Sequence, residues 1–382
     1  MTRALPTEAP ASRRGRILGV DAARAVALVG MFATHIFPLR ADGQETLTAQ
    51  VASGRASALF AVLAGVGIAL ATGGTRPPDG ARAHLAAAAG LAVRGVLVGA
   101  LGLTLVALDP PVAVILAYYG LLFLLATPLL RLPAPVLAGG AVLACVLMPV
   151  VSQLLRADLP GGYPDQPGWA ALADPGALLV TLGLTGTYPV LTWTTYLLAG
   201  MAVGRLDLGR TRVAAGLLGG GVALAAAAHT ASALLLGAGG AVVLGGAATQ
   251  RHHGTTPVGS WWWLAVDSPH SGSPLDLAAT VGSALAVLGA MLVLARVARP
   301  LVLVPAAVGA APLTVYALHV VAVTVYPGRG PDDAAVWLGN VLGATLVGVV
   351  LWWAGTRGPL EAVLAAAGRA TRQSVQGRVA QR

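Results

Sequence analysis

Asp21, Arg24 and His35 fall within one apolar stretch, Gly19-Val20-Asp21-Ala22-Ala23-Arg24-Ala25-Val26-Ala27-Leu28-Val29-Gly30-Met31-Phe32-Ala33-Thr34-His35. In a helix each residue turns by about 100°, so Arg24 and His35 lie only about 20° apart around the axis and Asp21 about 40° from His35. One face then carries an acid–base pair near one end and an imidazole about 16 Å further along. An imidazole titrates near neutral pH, which suits general-base or nucleophilic work. Ionisable groups in an apolar helix are costly and by default face a bundle interior or a wet cavity. Plainer readings stand beside this one: Asp21 and Arg24 as a neutralising i,i+3 pair, and His35 as a polar residue at a membrane boundary.

The composition says what kind of elements must hold these groups. Of 382 residues, 56% are hydrophobic and only 10% charged, and mean hydropathy is +0.77. A soluble domain carries about a quarter charged residues, so lipid is the expected solvent. The 50 glycines fit helices that pack closely through small residues. Net charge is +9 and lysine is absent. No aromatic-and-basic stripe accompanies that charge, so the arginines read as topology signals and lipid-headgroup contacts, and nucleic acid is not an expected partner. The single cysteine, Cys145, lies in an apolar run. It cannot form an intrachain disulfide, and no Cys/His spacing suits a metal.

The fold class expected is all-α, a polytopic membrane protein of about ten helices of roughly 20 residues each. The spans fall near 17–38, 53–73, 84–107, 111–129, 133–155, 182–204, 213–236, 275–295, 301–322 and 334–355. The stretch 237–248 is too short to span alone and either extends the seventh helix or lies at the interface. Arginines crowd the segments that share a side with the N-terminus, and most acidic residues fall on the other side. The positive-inside rule then puts both termini in the cytoplasm. The chain divides into a basic tail (1–16), a membrane domain (17–356) and a basic amphipathic tail (357–382) expected to lie on the inner membrane surface. The expected location is the plasma membrane.

With that topology, further polar groups reach the depth of His35. Among them are His319 in Tyr316-Ala317-Leu318-His319, the loop residues Asp267, His270 and Ser271, Asp276, and Arg55, Ser57, Tyr188 and Trp193. A second histidine and nearby carboxylates could orient or assist a base, which makes His35, Asp267, His270, Asp276 and His319 the candidate catalytic set. Arg55, Ser57, Tyr188, Trp193 and Ser271 are candidates for holding an acceptor. His319 also suits plain helix packing, and His270 plain solvent exposure. At the opposite end, Arg24, Arg94 and Arg205 could meet the phosphates of a nucleotide-bearing donor, since guanidinium forks fit phosphate. Arg94 and Arg205 serve equally as topology signals. Gly30 and Gly65 are expected to leave space beside the first helix. Gly216 and Gly220 form a small-xxx-small pair that suits internal packing or a homodimer contact.

Asp-x-x-Arg-(small)-x-Ala-x-x-Gly-Met followed by His35 resembles the first helix of bacterial relatives of heparan-alpha-glucosaminide N-acetyltransferase. Arg24 and His35, ten residues between them, are similar to the Arg-x10-His motif of the acyltransferase family 3 proteins. Ser53-Gly54-Arg55-Ala56-Ser57-Ala58-Leu59-Phe60, Tyr188-Pro189-Val190-Leu191-Thr192-Trp193, Pro269-His270-Ser271-Gly272-Ser273-Pro274 and Arg357-Gly358-Pro359-Leu360-Glu361 resemble the YeiB-like family of unknown function (number 418). Ala25 stands where a glycine usually follows the arginine. The resemblance implies a transmembrane acyltransferase, with His35 catalytic and Arg24 its motif arginine. It would move an acyl group, acetyl being the expectation, from cytoplasmic acyl-CoA to a carbohydrate or other envelope acceptor at the outer face. Acyl-CoA is then a co-substrate, and no permanently bound cofactor or metal is expected. The alternative is a transporter or lipid flippase using the same polar face as a pathway, which would predict broken helices in repeated halves.

Overall fold

The computed structural model describes residues 16–159, 166–327, 330 and 333–380, so of the expected basic tail only Arg16 lies among the described residues. The helices run in the order α1 Leu18–Ile36, α2 Leu47–Ala52, α3 Arg55–Ala71, α4 Gly80–Val106, α5 Leu116–Ala126, α6 Ala134–Leu155, α7 Pro175–Val180, α8 Val190–Gly204, α9 Thr211–Leu235, α10 Ala241–Leu244, α11 Pro274–Val297, α12 Arg299–Val308, α13 Pro312–Val325, α14 Asp333–Trp353 and α15 Pro359–Ala380. A two-stranded hairpin, Arg40–Ala41 with Gln44–Glu45, follows α1 and makes the fold nearly all-α.

Seven stretches among the described residues are long and apolar enough to cross a membrane: Leu18–Ile36, Leu47–Ala71, Gly80–Val106, Ala134–Leu155, Thr211–Ala248, Pro274–Val297 and Asp333–Trp353. The bent pair α12 and α13, inclined by 62°, makes an eighth if counted as one span. The other expected spans are shorter or divided apolar helices, two of them divided at a proline. The run at 111–129 is the shorter helix Leu116–Arg131, and that at 182–204 divides before Pro189 into Pro175–Thr185 and Val190–Gly204. Pro312 opens α13 in the same way. Proline cannot donate its N–H and is tolerated in the first turn, so it starts a new helix inside a hydropathy-continuous run. The stretch 237–248 does extend α9, across Gly239 at φ 138°.

α1 is the central helix, packed against α3, α11, α12, α13 and α14. Ala22, Ala23, Ala27, Leu28, Phe32 and Ile36 are fully buried. The glycines expected to leave space instead bring backbones together. Gly30 meets Ala56, and Gly65 meets the α8 backbone at Leu197 and Gly200. Internal packing of α9 runs through Gly221 against α11, whereas Gly216 and Gly220 have nothing within 4 Å of a Cβ position. Large apolar side chains such as Val142, Leu143, Leu234, Leu342 and Leu346 point outward, as lipid-facing surface requires.

The broken pair is tied to the rest of the chain by charge. Glu361, in the first turn of α15, accepts from the backbone N–H groups of Leu313 (2.7 Å) and Thr314 (3.1 Å) and from the Thr314 hydroxyl (2.6 Å). These are donors of the first turn of α13, which no helical carbonyl can satisfy. A side chain at position 358 would strike the Glu361 carboxylate and Thr314, so only glycine allows this approach. The rest of α15 lies along α4, where Gly90 meets Arg372 and Gly368 meets Arg94.

Candidate functional site

The charges of α1 form a network at its N-terminal end. The Asp21 carboxylate accepts from Arg24 at 2.7 Å and from Arg16 Nε at 2.9 Å. Arg16 also donates to the Ala310 carbonyl at 3.0 Å, a group left open by the α12–α13 break. Beside them is a cavity of about 430 Å³. Arg16, Arg24, Arg94 and Arg357 line it, Glu361 is the carboxylate among its lining residues, and Phe60, Leu63, Tyr119 and Phe123 form apolar walls. Arg94 Nε is buried and has no hydrogen-bond partner among the described residues. Arg205 lies elsewhere. Its guanidinium donates to the carbonyls of Ala69 (3.0 Å), Thr72 (3.3 Å), Gly74 (3.0 Å) and Leu130 (2.5 Å), holding the end of α3.

At the other end of α1, His35 and His319 come together, with His35 Nδ1 2.9 Å from His319 Nε2. His319 Nδ1 lies 2.9 Å from the side-chain oxygen of Asn340 on α14. Phe32, one turn before His35, stacks on the His319 ring at 4.1 Å. His35 faces a narrow pocket of about 30 Å³, the size of one or two waters. Ser53, Ser57, Tyr188, Arg251, His270 and Tyr316 also line it. A wider cleft of about 530 Å³ shares Thr34, His35 and Arg251 and is bounded by Phe37, Pro38, Leu39 and Asp333.

A single layer of side chains separates the pocket from the arginine cavity. Phe60 and Tyr119 line the cavity while Tyr316 lines the pocket, and the Phe60 ring stacks on both, at 5.8 and 6.3 Å. Leu116 lies on the cavity side and its neighbour Ile115 on the pocket side, where the Ile115 N–H donates to the Tyr316 hydroxyl at 3.3 Å.

Two loop segments roof the pocket. His252 N–H donates to the Pro269 carbonyl at 3.1 Å and Gly254 N–H to the His270 carbonyl at 2.9 Å, so Arg251 and His270 are presented side by side. His270 takes the left-handed φ of 60°. Burial first, then Arg251 and His253, push its imidazole down to about 3, so it is neutral at ordinary pH. Tyr188 is buried, with Trp193 packed edge-on behind it at 5.0 Å.

The remaining candidates do not converge on His35. Asp276 is buried and accepts from the Gly272 N–H at 3.0 Å, while Ser273 Oγ accepts from the Asp276 N–H at 3.0 Å. Together these bonds cap the start of α11, and Ser271 also bonds the Asp276 carboxylate. Asp267 pairs with His229 of α9 at 2.5 Å, and His229 Nε2 lies 3.4 Å from Arg55. Arg55 also donates to the Gln50 carbonyl at 2.5 Å. Sequence reasoning missed Asn340, His229 and Arg251. An asparagine in the apolar run of α14 and a histidine in that of α9 were signals of the kind that singled out His35. Arg251, in a loop, carried none.

The apolar exterior, the buried charges of α1 and the two internal spaces define a multi-pass membrane protein. The family model described as heparan-alpha-glucosaminide N-acetyltransferase, catalytic, matches residues 16–225, and the chain belongs to that family, one of acetyltransferases. No curated protein matches it. The matched region holds Arg24, His35, Arg94 and Tyr188; Arg251, His270, His319, Asn340 and Arg357 lie beyond it.

Proposed function

We propose that this chain transfers an acyl group, acetyl in the first instance, from acyl-CoA at its arginine end to a hydroxyl or amine of a sugar or other envelope molecule at its His35 end. One observation carries the reading. A single helix, α1, delivers Arg24 to one cavity and His35 to another, with one aromatic layer between them. By the positive-inside rule the arginine end is cytoplasmic, where acyl-CoA is found, and the membrane is the plasma membrane.

Arg16, Arg24, Arg94 and Arg357 would hold the CoA phosphates through guanidinium forks. The pantetheine arm would run along the apolar wall toward Phe60, Tyr119 and Tyr316, which must part for the thioester to reach His35. The acceptor would lie in the outer cleft, with Arg251 at its wall, and reach into the pocket lined by Tyr188 and Ser57. As the acceptor attacks the thioester carbonyl, its proton passes to His35. The C–S bond breaks, and CoA leaves as a thiolate that takes up a proton. An imidazole can instead accept the acyl group first and pass it on; both courses need a free His35 nitrogen, and Nε2 has no hydrogen-bond partner among the described residues.

The bent α12–α13 pair favours a second reading, transport along the same face, since broken helices form ion and substrate sites in transporters. Purified protein given acetyl-labelled CoA separates the two. Transfer predicts CoA release that disappears in His35→Ala. No release from folded wild type, across several acyl chains and sugar acceptors, would leave transport as the better reading.

A further inference from the structure

The hydrogen bonds behind His35 dictate where its protons sit. Asn340 donates from Nδ2 to the Val336 carbonyl one turn back in α14, at 2.9 Å. That bond fixes the amide, so the group facing His319 Nδ1 at 2.9 Å is an oxygen, which can only accept. His319 Nδ1 must therefore carry a hydrogen. A neutral imidazole has one donor and one acceptor nitrogen, so His319 Nε2 is an acceptor, and His35 Nδ1, 2.9 Å away, must donate to it. The remaining nitrogen of His35, Nε2, is left with its lone pair.

We infer that Asn340 and His319 are positioning residues that hold His35 as its Nδ1–H tautomer with a bare Nε2, and that they spread the positive charge when Nε2 takes a proton or an acyl group. The arrangement has the logic of a base oriented by a third group, built here from neutral partners. Phe32 stacked on His319 keeps the ring in plane with its partners. The other charged or titratable groups around His35 are Arg251, His270, Tyr188 and Tyr316 in the pocket and Asp333 in the cleft, and among the described residues none of them bonds its nitrogens. His319 and Asn340 both lie outside the region matched by the family model, so the relay belongs to the C-terminal half of the chain. Its catalytic consequence rests on the acyl-transfer reading; the tautomer does not.

The test uses full-length protein with 15N-labelled histidine in detergent. With 7 histidines in the chain, the His35 and His319 signals are assigned from His35→Gln and His319→Gln. Wild type should show protonated Nδ1 and bare Nε2 on both rings. Asn340→Leu should release His319 to a mixture of tautomers and lower kcat at least about tenfold, with KM for acetyl-CoA unchanged, as expected for a lost orienting group. Asn340→Asp keeps the acceptor and adds a charge. It should restore the tautomer and move the acidic limb of the pH–rate profile upward. A protonated Nε2 on wild-type His35, or an Asn340→Leu protein with wild-type tautomers and kcat, would overturn the proposal. If the tautomers are as expected but the protein releases no CoA, the relay stands and the acyl-transfer reading fails.

Discussion

Replacing Glu361 should move stability and donor binding in opposite directions. The carboxylate accepts three hydrogen bonds at the start of α13 and lines the same cavity as four arginines. Glu361→Ala strands two N–H groups and a hydroxyl. At roughly 1–3 kcal/mol each, lowered by water entering from the cavity, the loss is about 4 kcal/mol. Unfolding entropy of about 2.1 cal/mol/K per residue makes each kcal/mol worth about 1.2 °C in a chain this long, so Tm should fall by about 5 °C. Glu361→Gln keeps an oxygen for both N–H groups but loses the charge at a helix N-terminus and the acceptor of the Thr314 hydroxyl, together about 2 kcal/mol or about 2 °C. The same substitution removes a negative charge from the donor cavity. At about 8 Å from a phosphate and an effective dielectric of about 40, that charge is worth about 1 kcal/mol, which should lower KM for acetyl-CoA roughly fivefold. Thermal unfolding in detergent and donor titration at fixed acceptor read the two effects. A glutamine variant as stable as wild type that binds donor more weakly would refute both the capping role and the placement of phosphates in this cavity.

Arg24→Gln should raise KM for acetyl-CoA about tenfold while Arg205→Lys leaves it unchanged, because only Arg24 faces the cavity; equal effects in a donor titration would contradict that division. Arg205→Lys should instead lower Tm, since an ammonium cannot reach four carbonyls held by a fork, at a cost of about 2–4 kcal/mol in thermal unfolding. His270 is held at about 3 in the folded chain, below about 6.5 when unfolded. The unfolded state therefore binds the extra proton, and the stability that neutral His270 contributes is complete above the unfolded value and is lost as pH falls from about 6.5 toward 3, by about 2 kcal/mol at pH 5. His270→Asn, which tolerates the left-handed φ, should flatten the decline of Tm between pH 7 and 5 relative to wild type; an unchanged slope would mean that His270 is not buried neutral.

The spacing of Asp21, Arg24 and His35 on one helix face was legible because helical periodicity alone decides it. So was the depth of His319, which the chain's alternation of direction puts opposite His35. Hydropathy could not show where an apolar run breaks, because it sums side-chain transfer energies while the break at Pro312 is a backbone event. It also could not separate Arg94 from Arg205. Both are arginines in or beside membrane helices, yet one lines the cavity and the other is consumed by carbonyls of neighbouring turns. Asp276 shows the same limit. As a carboxylate beside the outer loop it suited catalysis, whereas the structure uses it for capping, between the Gly272 N–H and Ser273 Oγ.

The Arg357-Gly358-Pro359-Leu360-Glu361 segment shows what such a short motif can mean physically. Arg357 faces the cavity, Gly358 clears a path, Pro359 starts α15, and Glu361 caps the first turn of α13. α13 is the helix that carries His319 to His35. The cap at one end of α13 and the histidine pair toward its other end are thus linked through one rigid element. Loss of the cap in Glu361→Ala should therefore lower kcat through the position of His319, while its lost charge lowers KM; damage to Arg24 should instead raise KM with kcat unchanged. The two can be told apart by kcat against KM, since a displaced orienting group lowers kcat and a lost phosphate contact raises KM.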